Sequence, residues 1–214
     1  MQTRILSIDS PDAILAILTV LEAGGLVAFP TDTVYGVGAL AFDGAAVESI
    51  YTAKDRPIEK AIPVLIGDAK DLDKVASHVP TMALQLAVRF WPGPLTLVVP
   101  KNPALPEAVS ANDTVGVRVP DHAIARTLLR STGPMAVTSA NISGGDNPTT
   151  SEDVFAQLNG RIGLILDGGR TPGGRPSTVV DCIQREPSIL RQGPISLEEI
   201  KSALVQADNS NIML

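Results

Sequence analysis

Two tripeptides carry the most chemistry in this chain of 214 residues: Lys54 and Arg56 in "AKDRP", and Ser139 and Asn141 in "TSANISG". Cations two apart can grip phosphate or carboxylate oxygens, and short hydroxyl and amide side chains can hydrogen-bond phosphate or ribose oxygens. On a continued helix Lys54 and Arg56 would point about 200° apart, but Pro57 disfavours helical geometry at Arg56, so the chain bends there. Taken alone, the stretch reads as a solvated helix end. Asp55 and Glu59 can screen its charges, and a helix C-terminus favours cations in any case. Lys60 adds a third positive charge nearby.

A second polar cluster lies in "FPTDTVYGVG", where Thr31, Asp32, Thr33 and Tyr35 precede Gly36 and Gly38. Hydroxyls beside pliable backbone can surround a small polar ligand, although a turn with satisfied hydroxyls would look similar. The third cluster extends "TSANISG" through Ser143 and two glycines to Asn147-Pro148. It is not a GxxxxGK[ST] loop, and no GxGxxG is present, so a nucleotide would bind by another scheme.

Composition narrows the chemistry. Only two histidines exist, His78 and His122, without a Glu or His at metal-ligand spacing, which argues against a zinc hydrolase or a Ser-His-Asp triad. Both read as structural. Cys182 is the only cysteine, so an intrachain disulfide and a Cys-rich metal site are excluded and a reducing cytosol fits. A net charge of −6 disfavours nucleic-acid binding through a broad basic face and requires any cationic site to be focused. Neither a signal peptide nor a membrane span is recognisable.

These clusters need elements to position them. Ser10 and Pro11 read as cap and first residue of a helix ending at Gly24-Gly25, and Asp43 as the cap of a second helix reaching about Ala53. Helices are also expected near 68–75, at 80–90, in "DHAIARTLLRS", in "SEDVFAQLN" with Ser151 as cap, and after the Ser196/Glu199 capping-box spacing. Between them "LVAFP", "AIPVLI", "LTLVVP", "VGVRVP", "MAVTS", "IGLIL", "STVVDCI" and "SILR" read as short apolar strands. The alternation predicts one α/β domain over residues 1–206, with mixed parallel and antiparallel pairing and helices on both faces. The Gly/Pro-rich segment 167–178 reads as an ordered loop over a site, and 207–214 as a frayed tail.

In order along the chain stand "PTDTVYG", "KDRP", "WPGPLTLV", "GVRVP", "TSANISG", "PSTVVD" and "LRQG". Together, from about Leu26 to Gly193, they resemble the YrdC/TsaC family of threonylcarbamoyl-AMP synthases. Lys54 and Arg56 with Ser139 and Asn141 match its K-x-R and S-x-N pair. The resemblance implies a twisted mixed α/β sheet, flanked by helices, curled around a large concave cavity. It implies condensation of L-threonine, bicarbonate and ATP to threonylcarbamoyl-adenylate and pyrophosphate, feeding N6-threonylcarbamoylation of adenosine 37 in tRNA. A non-catalytic YrdC-like protein that binds RNA or nucleotide is the alternative reading.

By the same resemblance, Lys54, Arg56, Ser139 and Asn141 would be catalytic. Arg56, Lys60, Thr114, Ser139, Asn141, Asn147 and Arg191 would contact ATP, and Thr33, Arg118 and Ser177 would receive L-threonine. Magnesium would come with ATP, without a dedicated set of protein ligands. The product would pass to the tRNA threonylcarbamoyl transferase complex in the cytoplasm, with at most weak contact to tRNA and none to membrane. Some long-form relatives carry a histidine after the K-x-R segment where Leu65 stands here, so that contact to the amino acid is missing. Trp91 in "WPGP" reads as packing and turn.

Overall fold

The computed structural model describes residues 2–211, with the backbone alone for 207–211. Along the chain the elements run β1 (Arg4–Ser7), α1 (Ala13–Glu22), β2 (Val27–Phe29), β3 (Gly36–Leu40), α2 (Gly44–Lys54) and β4 (Val64–Leu65). A 3-10 turn (Ala69–Asp71) leads into α3 (Leu72–Val75), followed by α4 (Thr81–Phe90), β5 (Leu95–Pro100) and β6 (Thr114–Arg118). Then come α5 (Ala123–Thr132), β7 (Met135–Ser139), α6 (Ser151–Leu158), β8 (Leu164–Asp167), β9 (Thr178–Asp181), β10 (Ser188–Arg191) and α7 (Leu197–Asn211). The tail expected to fray begins inside α7, whose backbone is helical to Asn211; residues 212–214 lie outside the described residues.

The strands form one mixed sheet in the order β1-β8-β2-β3-β7-β4-β6-β5-β9-β10. Pairs β1–β8, β2–β8, β4–β6 and β5–β9 are parallel, while β2–β3, β3–β7, β4–β7, β5–β6 and β9–β10 are antiparallel. Two apolar clusters hold helices to it. One packs Val47 and Ile50 of α2, Leu86 of α4, Val154 of α6 and Ile200 of α7 against strand residues such as Leu97 and Val117. The other packs Ile17 and Leu21 of α1 and Leu128 and Leu129 of α5 against Phe29, Leu65, Val137 and Leu164. In α1 the buried residues Ala13, Ile17 and Leu21 recur every four positions, the spacing of one helical face.

Local signals explain most boundaries. The Asp43 side chain accepts from the Ala46 N–H and opens α2, as expected. Ser196 and Glu199 bond reciprocally ahead of α7. Two caps differ from expectation. The carbonyl of Ser10 closes a turn with the Ala13 N–H, so α1 starts at Ala13 rather than Pro11, and Asp12 gives no side-chain cap. Thr150, not Ser151, caps α6, because the acid three residues on from Thr150 is Asp153, which completes a capping box.

The larger difference is β3, in a stretch that reads as pliable loop. Its glycines serve close approach to β7: a Cβ on Gly38 would lie 2.5 Å from the carbonyl oxygen of Ala136, and one on Gly36 2.7 Å from Val137 Cγ1. The expected strands "AIPVLI" and "STVVDCI" shrink to Val64–Leu65 and Thr178–Asp181. Pro63, just before β4, has no N–H to give a ladder, which shortens the first of these.

Gly193, between β10 and α7, shows how tightly the cavity end of the sheet is built. A Cβ there would come 2.2 Å from the Thr178 backbone nitrogen and 2.5 Å from the Pro176 carbonyl oxygen, and neither can yield as a flexible side chain would. Gly193→Ala is expected to lower unfolding free energy by about 2–4 kcal/mol, read from urea denaturation with unchanged slope. A loss below about 0.5 kcal/mol would contradict this packing.

Candidate active site

A cavity of about 400 Å³ is lined by residues of β3 to β7, β9 and β10 and of the loops beside them. Strand periodicity selects its walls, since residues two apart share a face. β6 contributes Thr114, Gly116 and Arg118 and β5 contributes Thr96 and Val98, while β7 departs from the alternation at its end and contributes Val137, Thr138 and Ser139. Gly116 keeps the floor open, because a Cβ there would press to 3.0 Å from Thr96 Cγ2. Leu65 and Val137 belong both to the α1/α5 core cluster and to the cavity wall.

Three arginines reach this cavity: Arg56 after α2, Arg118 at the end of β6 and Arg191 at the end of β10. Each is held by protein acceptors. Arg56 donates from Nε to the Lys60 carbonyl (3.0 Å) and from Nη2 to that of Ala61 (2.8 Å). Arg191 donates from Nε and Nη2 to the Ser177 carbonyl and from Nη2 to Ser177 Oγ. Arg118 is buried; its Nε donates to the Gly93 carbonyl (2.9 Å), its Nη1 to Thr33 Oγ1 (3.0 Å) and its Nη2 to the Asp32 carboxylate. Desolvation weakens the hold of all three on their protons, and at Arg191 the charges of Arg118 and Arg56 add to it. Guanidinium stays charged regardless, so the cavity carries a surplus of positive charge opposed by Asp32. This is the focused cationic site that an acidic chain requires.

Of the residues singled out in the sequence, Thr33, Arg56, Thr114, Arg118, Ser139, Ser177 and Arg191 line the cavity. Lys54 does not face it. The side chain is buried beneath the wall, and its Nζ donates to the carbonyl oxygens of Ser139 and Asn141. The Ser143 N–H returns a bond of 2.8 Å to the Lys54 carbonyl. Asn141 is also turned inward: its Oδ1 accepts from Ser139 Oγ, and its Nδ2 donates to the carbonyls of Ile142 and Gly145, both at 2.8 Å. Lys54 and Asn141 therefore shape the 139–145 turn and present Ser139. Lys60 and Asn147 are exposed and outside the lining; the Lys60 carbonyl, not its ammonium, engages Arg56.

The 167–178 loop is ordered: Tyr35 Oη donates to the Gly169 carbonyl and accepts from the Gly168 N–H, and the Gly174 N–H reaches the Thr33 carbonyl (2.8 Å). Pro176 and Ser177, at its end, line the cavity. His122 caps α5 by accepting from the Ala125 N–H, and Trp91 is buried with Nε1 donating to the Leu95 carbonyl. Burial pushes the Cys182 thiol up to about 12, which leaves it unreactive. Thr96 was not singled out, and Asp32 stood only as a member of a polar cluster with no role of its own. Thr96 could have been found from strand alternation alone, and its Oγ1 lies 2.8 Å from Ser177 Oγ. Among the described residues no group of three or more His, Cys, Asp or Glu side chains could hold a metal, and no helix is long and apolar enough to cross a membrane.

Burial, and after it Arg56, push the Lys54 ammonium from 10.5 down to about 7. A base with depressed proton affinity costs stability where it is charged in the folded state, below about pH 7, and the cost is relieved as pH rises toward 10.5. The neutral amine keeps two N–H donors, one for each carbonyl. Lys54→Met would leave those carbonyls unpaired, costing on the order of 1–3 kcal/mol. In denaturant titrations the wild-type advantage over Lys54→Met is expected to widen between about pH 6.5 and about pH 9.5. A gap that narrows with rising pH would contradict the burial.

A sequence model of the Sua5/YciO/YrdC family, described as "Telomere recombination", matches residues 19–193. The threonylcarbamoyl-AMP synthase of Pyrococcus abyssi is 45% identical over 186 residues, covering 86% of this chain and 55% of that protein. The chain thus spans about half the length of that relative. The threonylcarbamoyl-AMP synthase of Pseudomonas aeruginosa is 34% identical over 165 residues, 77% of this chain and 89% of that one. The crystal structure of P. abyssi Sua5 complexed with L-threonine superposes with a TM-score of 0.89 at 40% identity, over 95% of this chain and 61% of that one. By the extent of these matches and the shared sheet, the chain belongs to the Sua5/YciO/YrdC family.

Proposed function

We propose that this protein condenses L-threonine, bicarbonate and ATP into L-threonylcarbamoyl-adenylate and pyrophosphate. The observation that carries this reading is the meeting in one cavity of Arg56 and Ser139, from the K-x-R and S-x-N segments, with Arg118 and Thr33. The names of the P. abyssi and P. aeruginosa relatives, and the L-threonine bound by P. abyssi Sua5, support it.

In the reaction a carbamate oxygen of N-carboxythreonine attacks the α-phosphate and pyrophosphate leaves. The attacking oxygen is already anionic, so the step calls for positioning and charge neutralisation more than for a protein nucleophile. Arg56 and Arg191 meet the triphosphate, Ser139 borders it with its one O–H held by Asn141 Oδ1, and Thr114 borders the nucleotide. Arg118 has five N–H groups, three of which go to Gly93, Thr33 and Asp32. Two are left, enough for a bidentate carboxylate. Thr33 and Ser177 flank that carboxylate. Lys54 and Asn141 act by holding the turn that presents Ser139, while Lys60 and Asn147 would reach only a ligand group at the rim. Magnesium would arrive with ATP; a lining of hydroxyls and cations suits an ion that keeps its phosphate and water ligands.

Residues 1–206 would act as a single catalytic unit. The adenylate would be handed to the enzyme complex that threonylcarbamoylates tRNA, in the cytoplasm. Leu65 pairs in register with Arg118 and lines the cavity, offering an apolar contact where long-form relatives place histidine.

Arg56→Ala is expected to lower threonine- and bicarbonate-dependent pyrophosphate release by about 10²–10³-fold with the fold intact. Full activity would remove Arg56 from the chemistry. Arg118→Ala is expected to weaken threonine binding in calorimetry while ATP affinity changes little. Unchanged threonine binding would make Arg118 a structural residue only.

A further inference from the structure

Asp32 belongs to none of the roles above, yet it is the carboxylate that opposes the cationic cavity. Its side chain is 12% exposed and that of Arg118 is 7% exposed, so their attraction is little screened by solvent. Asp32 Oδ1 accepts from Arg118 Nη2 and from the Asp121 N–H at 3.1 Å, which ties the β2–β3 loop to the chain beyond β6. Thr33, the next residue, accepts from Nη1 of the same guanidinium and shares a 3.0 Å bond with Thr31 Oγ1. The carboxylate is therefore held fixed against the arginine, and it is not itself among the side chains that line the cavity.

This has an electrostatic consequence. A bare guanidinium at this position, with Arg56 and Arg191 on the same cavity, would attract any simple carboxylate and repel an ammonium. With Asp32 in contact, the Arg118 site is close to neutral while two N–H donors remain directed by its hydrogen bonds. A neutral but dipolar site matches a ligand that is itself neutral and dipolar. We infer that Asp32 is a positioning and specificity-determining residue, which makes the Arg118 pocket select zwitterionic α-amino acids over carboxylates lacking the amino group. The inference rests on the reading of Arg118 as the amino-acid site, and it adds the element that tells an amino acid from a hydroxy acid.

The test compares calorimetric affinities for L-threonine and for (R)-3-hydroxybutanoate, the same skeleton without the amino group, in the wild-type protein and in Asp32→Asn. Asparagine keeps an oxygen for Arg118 and for the Asp121 N–H but removes the charge. The wild-type protein is expected to prefer threonine by at least about 10-fold, and Asp32→Asn to reduce that preference by about 10-fold, with the hydroxy acid binding more tightly than before. Asp32→Glu, which keeps the charge, is expected to keep the preference. A ratio unchanged in a folded Asp32→Asn protein, including a parallel loss of both affinities, overturns the inference and leaves the proposed reaction standing. So does a wild-type preference below about 3-fold, a measurement that needs no variant to fold. No threonine binding by the wild-type protein would overturn the proposed function together with this inference.

Discussion

Guanidinium groups that share a low-dielectric cavity repel one another, and much of this structure serves to hold three of them together. None of the three is left to a single acceptor atom. Arg56 is held by two backbone carbonyls of its own loop, Arg191 by the carbonyl and hydroxyl of Ser177, and Arg118 by Gly93, Thr33 and Asp32. The acceptors come from loops at the ends of β2, β4, β5 and β9, which are far apart in sequence and are brought together by the order of strands in the sheet. Cations spread over an exposed surface would be screened by salt, whereas these are fixed before a ligand arrives.

The same logic accounts for a lysine beneath the wall. The turn after β7 exposes two carbonyls to the protein interior, and Lys54 satisfies both while Asn141 closes the rest of the turn. Ser139 then projects into the cavity from a backbone braced on two sides. Two of the four residues of the K-x-R and S-x-N pair thus face the ligand space, and two build what holds them.

Much of this was legible in the sequence, for identifiable reasons. Helix–strand alternation, the Asp43 cap and the Ser196/Glu199 box are local, and the polar residues at strand ends point to a cavity at those ends. Strand periodicity places Thr114 and Arg118 on one face, and both line the cavity. What could not be read locally depends on distant backbone. The direction of Lys54 is decided by carbonyls some 85 residues on, and the tie between Asp32 and Arg118 spans 86 residues. β3 was missed because its glycines look like a turn, whereas their lack of side chains allows the close approach of β7. Asn147, before a proline in a Gly-rich turn, reads equally well as ligand or turn former, and it lies outside the cavity lining.

A chain with two histidines and a single, buried cysteine has few groups for acid–base or covalent chemistry. The proposed adenylation by an anionic carbamate asks for geometry and charge rather than for such groups. The direct measurement is to incubate the purified protein with ATP, L-threonine and carbon-labelled bicarbonate and to separate the nucleotides. The account predicts label in a threonine-dependent adenylate formed together with pyrophosphate. ATP binding without any labelled adenylate would contradict it.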